Sequence, residues 1–152
     1  GLGAKKIYIY DKKEPKIKFK NLIHVKSLDK LISKSNVVSI HLTLNNDTVN
    51  LFNFKNLKLF QKNSILINTS RALIVNDKDI IKIIKINNLS YVSDVLNNEP
   101  NYETNKKQII ENILLNKKNI YITPHMAAMT YDTQNNLSIN MFKKILRYFA
   151  IK

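Results

Sequence analysis

The 152-residue sequence predicts an α/β domain built on a doubly wound parallel sheet. Three observations carry this. Apolar runs of strand length alternate with helical segments along the whole chain. Several of the runs, such as "NVVSIH" (36–41) and "SILINT" (64–69), are nearly continuous in apolar residues, as strands covered on both faces are. At five strand ends stand polar groups, namely Asp11, His41, Thr69-Ser70-Arg71, Asp94 and His125. Ligands of open parallel sheets bind beyond the carboxyl ends of the strands.

The elements follow in order. "KKIYIY" (5–10) predicts a buried strand ending at Asp11. The charged connection "KKEPKIKFKN" (12–21) contains Pro15, which bars a regular element. "LIHV" (22–25) is a short strand, and Ser27 is placed to cap a helix carrying Leu28, Leu31 and Ile32 on one face. "NVVSIH" is the next strand, followed by the polar loop "LTLNNDTVNLFN". "FKNLKLFQ" (54–61) predicts a short helix and "SILINT" a further strand. Asn76 or Asp77 caps a helix whose Ile80, Ile81, Ile83 and Ile84 recur at helical spacing. "YVSDV" (91–95) is a strand. Residues 97–118 are polar, with a helix expected around 105–115, and "NIYIT" (119–123) is the last strand. Residues 130–149 carry Leu137, Met141, Ile145, Leu146 and Phe149 on one side of a long amphipathic helix, with Thr130 placed to cap it. No internal repeat or domain boundary breaks the chain.

Composition narrows the partners. A chain of this length, 44% hydrophobic, can bury a core and fold. It has no cysteine, which removes disulfides and thiolate metal sites and fits a reducing compartment. No apolar run is long enough to span a bilayer, so no membrane association is expected. Because the sequence opens on glycine, the lack of a visible leader carries little weight. The net charge of +14 is of the kind seen in nucleic-acid binders. Here the lysines are dispersed, and the two arginines, Arg71 and Arg147, form no cluster. Lys, Asn and Ile also share AT-rich codons. The charge therefore reads as solvated basic surface, with no nucleic-acid partner.

Three strand-end segments hold the candidate chemistry. In "NTSRALIVND" (68–77), Arg71 directly follows a buried strand, where a guanidinium is costly unless it meets an anion; its planar fork suits a carboxylate. A structural ion pair explains this segment equally well when it is taken alone. In "DVLNNEP" (94–100), Glu99 precedes a proline, and by itself it reads as a solvated loop carboxylate. In "TPHMAAMT" (123–130), Pro124 fixes the backbone before His125, and small residues follow. A lone histidine is more often structural. A histidine with a possible Glu partner and an arginine at neighbouring strand ends is a set able to hold a carboxylate, move a proton and steady the charged imidazole.

The order and spacing of "IYIYD", "SNVVSIHLTL", "SILINTSRALIVND", "VSDVLNNEP" and "ITPHMAAMT" resemble the D-isomer-specific 2-hydroxyacid dehydrogenases over nearly the whole chain. The resemblance implies a Rossmann-like NAD-binding domain and NAD-dependent hydride transfer to or from a small 2-hydroxy or 2-keto acid. It implies that Arg71 binds the substrate carboxylate, that His125 is the general acid–base, and that Glu99 orients His125 and favours its protonated form. Asp11 is implied to hold the adenosine ribose, preferring NAD over NADP. Thr69, Ser70, Asp94, His125, Met126, Ala127 and Ala128 are implied to line the nicotinamide side, with His41 and Thr43 bordering the same cleft. His24 matches no functional position. A homodimer and a cytoplasmic location are also implied. An NAD(H)-sensing interaction module of the same fold is the alternative, since such relatives keep the same residues. Two departures stand out. Ala72 occupies a position where the family usually has glycine, and a methyl at that turn is expected either to strain the backbone or to shift Arg71.

The second departure is at the start. "GLGAKK" fails the G-x-G-x-x-G fingerprint, because Lys6 stands at the third glycine. Asp11 lies only eight residues after Gly3, against about 20 in the fingerprint. Gly3 instead suits the end of a preceding helix. The expectation is a partial NAD-binding domain over residues 1–152, lacking the first strand and the glycine-rich turn. Its helix at 130–152 would lead back to an absent substrate domain, and the chain alone would be inactive and bind NAD weakly.

Overall fold

The strands of the computed structural model, which describes residues 3–13, 19–97, 113–126 and 129–148, form two parallel sheets. β1 (Ile7–Ile9) pairs with β2 (Leu22–His24). β3 (Val37–Ile40), β4 (Ile65–Asn68), β5 (Ser90–Ser93) and β6 (Ile120–Ile122) lie side by side in that order. Ile40 stands beside Asn68, Asn68 beside Ser93, and Ser93 beside Ile122, so the four strands end together on one edge. The helices are α1 (Leu28–Lys34), α2 (Phe54–Leu57), α3 (Asp77–Asn87) and α4 (Tyr131–Tyr148).

The core packs on the four-stranded sheet. Ile32 of α1, Leu57 of α2, and Ile80 and Ile83 of α3 are fully buried with Leu66, Ile74 and Leu89. The caps form as their side-chain chemistry requires. Ser27 accepts from the Lys30 N–H, and Asn76 accepts from the Asp79 N–H at 3.1 Å. α2 is shorter than predicted. The N–H groups of Leu59 and Phe60 turn to carbonyls three residues back, which closes the helix after Leu57 and sends Phe60 into the core. The 3₁₀ turn Ala72–Ile74 follows β4. Left-handed backbone falls mainly on asparagine: Asn50, Asn63, Asn88, Asn116 and Asn119 all have positive φ. In a chain with two glycines, Asn is the residue that tolerates this conformation best. Gly3 also has φ +73°, a conformation that glycine adopts freely.

β1 is not buried: Ile7 is 46% exposed, and Tyr8 and Ile9 are half-buried. The reason is a cavity of about 1020 Å³ between β1 and β3, lined among others by Ile7, Ile9, Val38, Ile40, Leu28 and Leu31. Among the described residues β1 pairs only with β2, and β3 only with β4, so the sheet is interrupted there. The helix expected around 105–115 lies mostly outside the described residues, and 113–116 is a turn. α4 starts behind Thr130, whose hydroxyl accepts from the Thr133 N–H. Its Leu137, Met141, Ile145 and Leu146 are exposed, whereas Phe149 is outside the described residues. Among the described residues no helix is long and apolar enough to cross a membrane.

Candidate active site

The carboxyl edge of the four-stranded sheet is laced together turn by turn. The β3 end carries His41, whose Nε2 lies 2.9 Å from Ser39 Oγ. The loop beyond it is closed by the Thr48 hydroxyl, which donates to the Thr43 carbonyl at 2.7 Å. The β4 end carries Thr69, Ser70 and Arg71, and the Ser70 hydroxyl donates to the Leu42 carbonyl, joining this turn to the one after β3. Thr43 and Thr69 are exposed. At the β1 end, Asp11 Oδ1 accepts from the Lys13 N–H at 2.9 Å, an Asx turn that holds the carboxylate at the surface. Lys12 pairs with Asp47 at 2.8 Å and so brings the Asp11 turn beside the loop after β3. That pairing holds the Asp47 carboxyl below, and the Lys12 amine above, their ordinary ranges.

Arg71 is exposed, with extended backbone, and its Nη1 donates to the Ser70 carbonyl at 2.8 Å. The burial cost expected of it does not arise. Nor is it in either of the ion pairs among the described residues, Lys12–Asp47 and Lys82–Asp79. The strain expected at Ala72 is also absent. Ala72 opens the 3₁₀ turn and is not among the left-handed residues, so its methyl meets no backbone conflict.

His125 does have left-handed backbone, at φ +53°. For a residue with a side chain this conformation costs on the order of 1 kcal/mol and persists only when its surroundings enforce it. They do so here. The His125 N–H donates to the Thr123 carbonyl at 2.9 Å, closing a three-residue turn around Pro124. Asp94, only 5% exposed, accepts on Oδ1 from the Thr123 hydroxyl and from the Met126 N–H, at 3.0 Å for the latter. One carboxylate thus holds the Thr123 side chain before His125 and the Met126 backbone after it, while His125 is itself exposed.

The structure therefore brings His41, Ser70, Arg71, Asp94, His125 and Met126 to one edge, with Asp11 on the neighbouring sheet. Glu99, Ala127 and Ala128 lie outside the described residues. Sequence reasoning missed Asn68, Tyr91 and Ser93, which tie the β4 and β5 ends from beneath. The only signal was an asparagine two residues before a serine, the spacing of an Asx turn.

An open parallel sheet with carboxylate, imidazole and guanidinium groups along its carboxyl edge is the class of domain that binds dinucleotides there. Residues 1–127 match the family described as D-isomer specific 2-hydroxyacid dehydrogenase, NAD binding domain, and the chain belongs to that family, whose cofactor is NAD. It is 27% identical over 149 residues to a glyoxylate reductase of Thermococcus litoralis, covering 97% of this chain and 43% of the relative. It is 30% identical over 143 residues to D-3-phosphoglycerate dehydrogenase of Escherichia coli, covering 93% and 34% respectively. The fold superposes on a D-isomer specific 2-hydroxyacid dehydrogenase from Lactobacillus delbrueckii ssp. bulgaricus in its NAD complexed form. The TM-score is 0.78 at 24% identity, covering 97% of this chain and 46% of that one, and this likeness speaks for the fold alone. The chain spans less than half the length of these relatives.

Proposed function

We propose that the full-length protein is an NAD-dependent oxidoreductase interconverting a D-2-hydroxy acid and its 2-oxo acid, with D-3-phosphoglycerate as the first substrate. The observation that carries the reading is the row of turns on one sheet edge, with Arg71 after β4 and His125 after β6. Arg71 presents an exposed planar fork for a carboxylate. His125 takes the hydroxyl proton in oxidation and returns it in reduction. Glu99 would be the residue that orients it.

The groups at this edge fit NAD. Asp11 offers a carboxylate at the end of β1 for ribose hydroxyls, and its charge disfavours a 2′-phosphate. Beside it opens the cavity of about 1020 Å³, which also reaches His41. Thr69, Ser70, Asp94, Met126, Ala127 and Ala128 would border the nicotinamide, with Thr43 nearby. Bound NAD supplies the hydride acceptor that no side chain can provide.

The phosphoglycerate assignment is supported by the likeness to the Escherichia coli dehydrogenase, and it would place the protein in serine biosynthesis in the cytoplasm. The exposed apolar row on α4 supports a homodimer.

The test is NADH formation by the full-length protein from D-3-phosphoglycerate, D-glycerate, D-lactate and erythronate 4-phosphate. His125→Ala is expected to lower kcat by about a thousandfold while NAD still binds. Arg71→Ala is expected to raise KM for the acid by about tenfold or more, the worth of a charge-assisted hydrogen bond. Unchanged turnover in His125→Ala would remove that residue from its role. Binding of NAD with turnover of none of these acids would favour an NAD(H)-sensing module instead.

A further inference from the structure

Among the described residues, a group of fully buried polar side chains lies beneath the Arg71 turn. Asn68, the last residue of β4, and Ser93, its partner across β5, are both wholly inaccessible, and Tyr91 is 1% exposed. Side chains two apart on a strand share a face, so Tyr91 and Ser93 point to the same side as Asn68. Asn68 grips the turn at both ends. Its Oδ1 accepts from the Ser70 N–H at 3.0 Å, and its Nδ2 donates to the Arg71 carbonyl at 3.1 Å. The same Nδ2 reaches the Tyr91 hydroxyl at 3.4 Å. That hydroxyl in turn donates to Ser93 Oγ at 3.3 Å, and Ser93 donates to the Val95 carbonyl at 2.8 Å.

Among the described residues, Arg71's own side chain reaches only the neighbouring Ser70 carbonyl, so the direction in which it leaves the sheet is set by its backbone. The backbone of the turn is held by Asn68, and the Asn68 amide also contacts the Tyr91 hydroxyl. A tyrosine hydroxyl is costly to bury without partners. Its partners here are the two side chains that shape the turns at the site. Burial pushes the Tyr91 hydroxyl's pKa up, which keeps it a neutral donor.

We propose that Tyr91 and Asn68 form a buried clamp on the Arg71 turn, making Tyr91 a positioning residue for the recognition of the substrate carboxylate from behind the sheet. This rests on the reading of Arg71 given above.

The test uses Tyr91→Phe in the full-length protein, since it removes one oxygen and keeps the ring. NADH-dependent reduction of 3-phosphohydroxypyruvate, hydroxypyruvate and glyoxylate gives KM and kcat. Fluorescence gives the Kd for NADH. Amide hydrogen exchange reports the Ser70 N–H against Leu66 as a core reference. The expected result is a KM raised about fivefold, the worth of one neutral hydrogen bond, with a smaller change in kcat. The Kd for NADH should stay within about twofold, and Ser70 should exchange about fivefold faster relative to Leu66.

In Arg71→Ala the Tyr91 change should add nothing further to KM, because both act through one contact. Additive effects in the double variant would overturn the clamp. So would a KM that rises only in step with the Kd for NADH, or Ser70 exchange that does not change. If Arg71→Ala leaves KM unaltered, or if none of the three acids is reduced, the reading of the site falls. Ser70 exchange then decides the clamp alone, and protection equal to that of the parent protein overturns it.

Discussion

Ser64 illustrates how a single polar atom weighs on this fold. It precedes β4 at 1% exposure, and its hydroxyl has no hydrogen-bond partner among the described residues. A buried hydroxyl without a partner forfeits its hydration for nothing. Ser64→Ala is therefore expected to stabilise the protein by about 1 kcal/mol, read as a raised urea midpoint. A lowered midpoint would show that the hydroxyl is satisfied. Asp94 stands at the other extreme. It is almost as deeply buried, yet it holds the Thr123 hydroxyl and the Met126 N–H and so enforces the left-handed backbone of His125. The two residues differ in what surrounds them, which their sequence neighbours do not reveal.

At the scale of the element, α3 shows cap, face and charge acting together. Asn76 caps it, Ile80, Ile83 and Ile84 seat it, and Asn88 ends it in left-handed conformation. Asp77 in its first turn is half-buried. Burial holds its carboxyl above the ordinary 3.8, while the Asn97 amide at 2.7 Å pulls it down by less. The folded state thus binds this proton more tightly than the unfolded chain. Asp77 therefore costs stability at neutral pH, and that cost disappears as pH falls from its raised value to 3.8. Asp77→Asn carries no such charge. Its urea midpoint relative to the parent protein should be higher near about pH 7 than near about pH 4. A difference that does not vary with pH would show that burial leaves this carboxyl untouched. The caps and apolar face of α3 are readable in "NDKDIIKIIKINN" because they are local. The proton affinity of Asp77 is not, since Asn97 lies 20 residues away.

At the scale of the whole molecule, the interrupted sheet divides the fold into unequal parts. The four-stranded sheet carries the buried core on α1, α2 and α3. The β1–β2 pair is half exposed and borders the large cavity. Regions with little buried apolar surface open at lower free energy. The Ile7 amide, bonded to the Asn21 carbonyl, should exchange at least about tenfold faster than the Tyr91 amide, bonded to the Asn119 carbonyl. Equal protection would show that the two sheets open as one unit.

The sequence by itself determined the parallel α/β plan, the helix caps and the strand ends at which Asp11, His41, Arg71, Asp94 and His125 stand. These depend on periodicity, on turn chemistry and on which residue follows an apolar run, all of which are local. It also misled at β1 and at Ala72. A buried β1 assumes a neighbour on both sides, and strain at Ala72 assumes a left-handed turn that the 3₁₀ turn avoids. Only the tertiary structure decided how the strand-end turns are held. Asn68 and Tyr91 lie 23 residues apart, and Asp94 and Thr123 lie 29 apart. Parallel pairing of β4 with β5, and of β5 with β6, makes each pair neighbours. A polar residue inside an apolar run has no partner until another strand arrives beside it, and that arrival is a property of the fold.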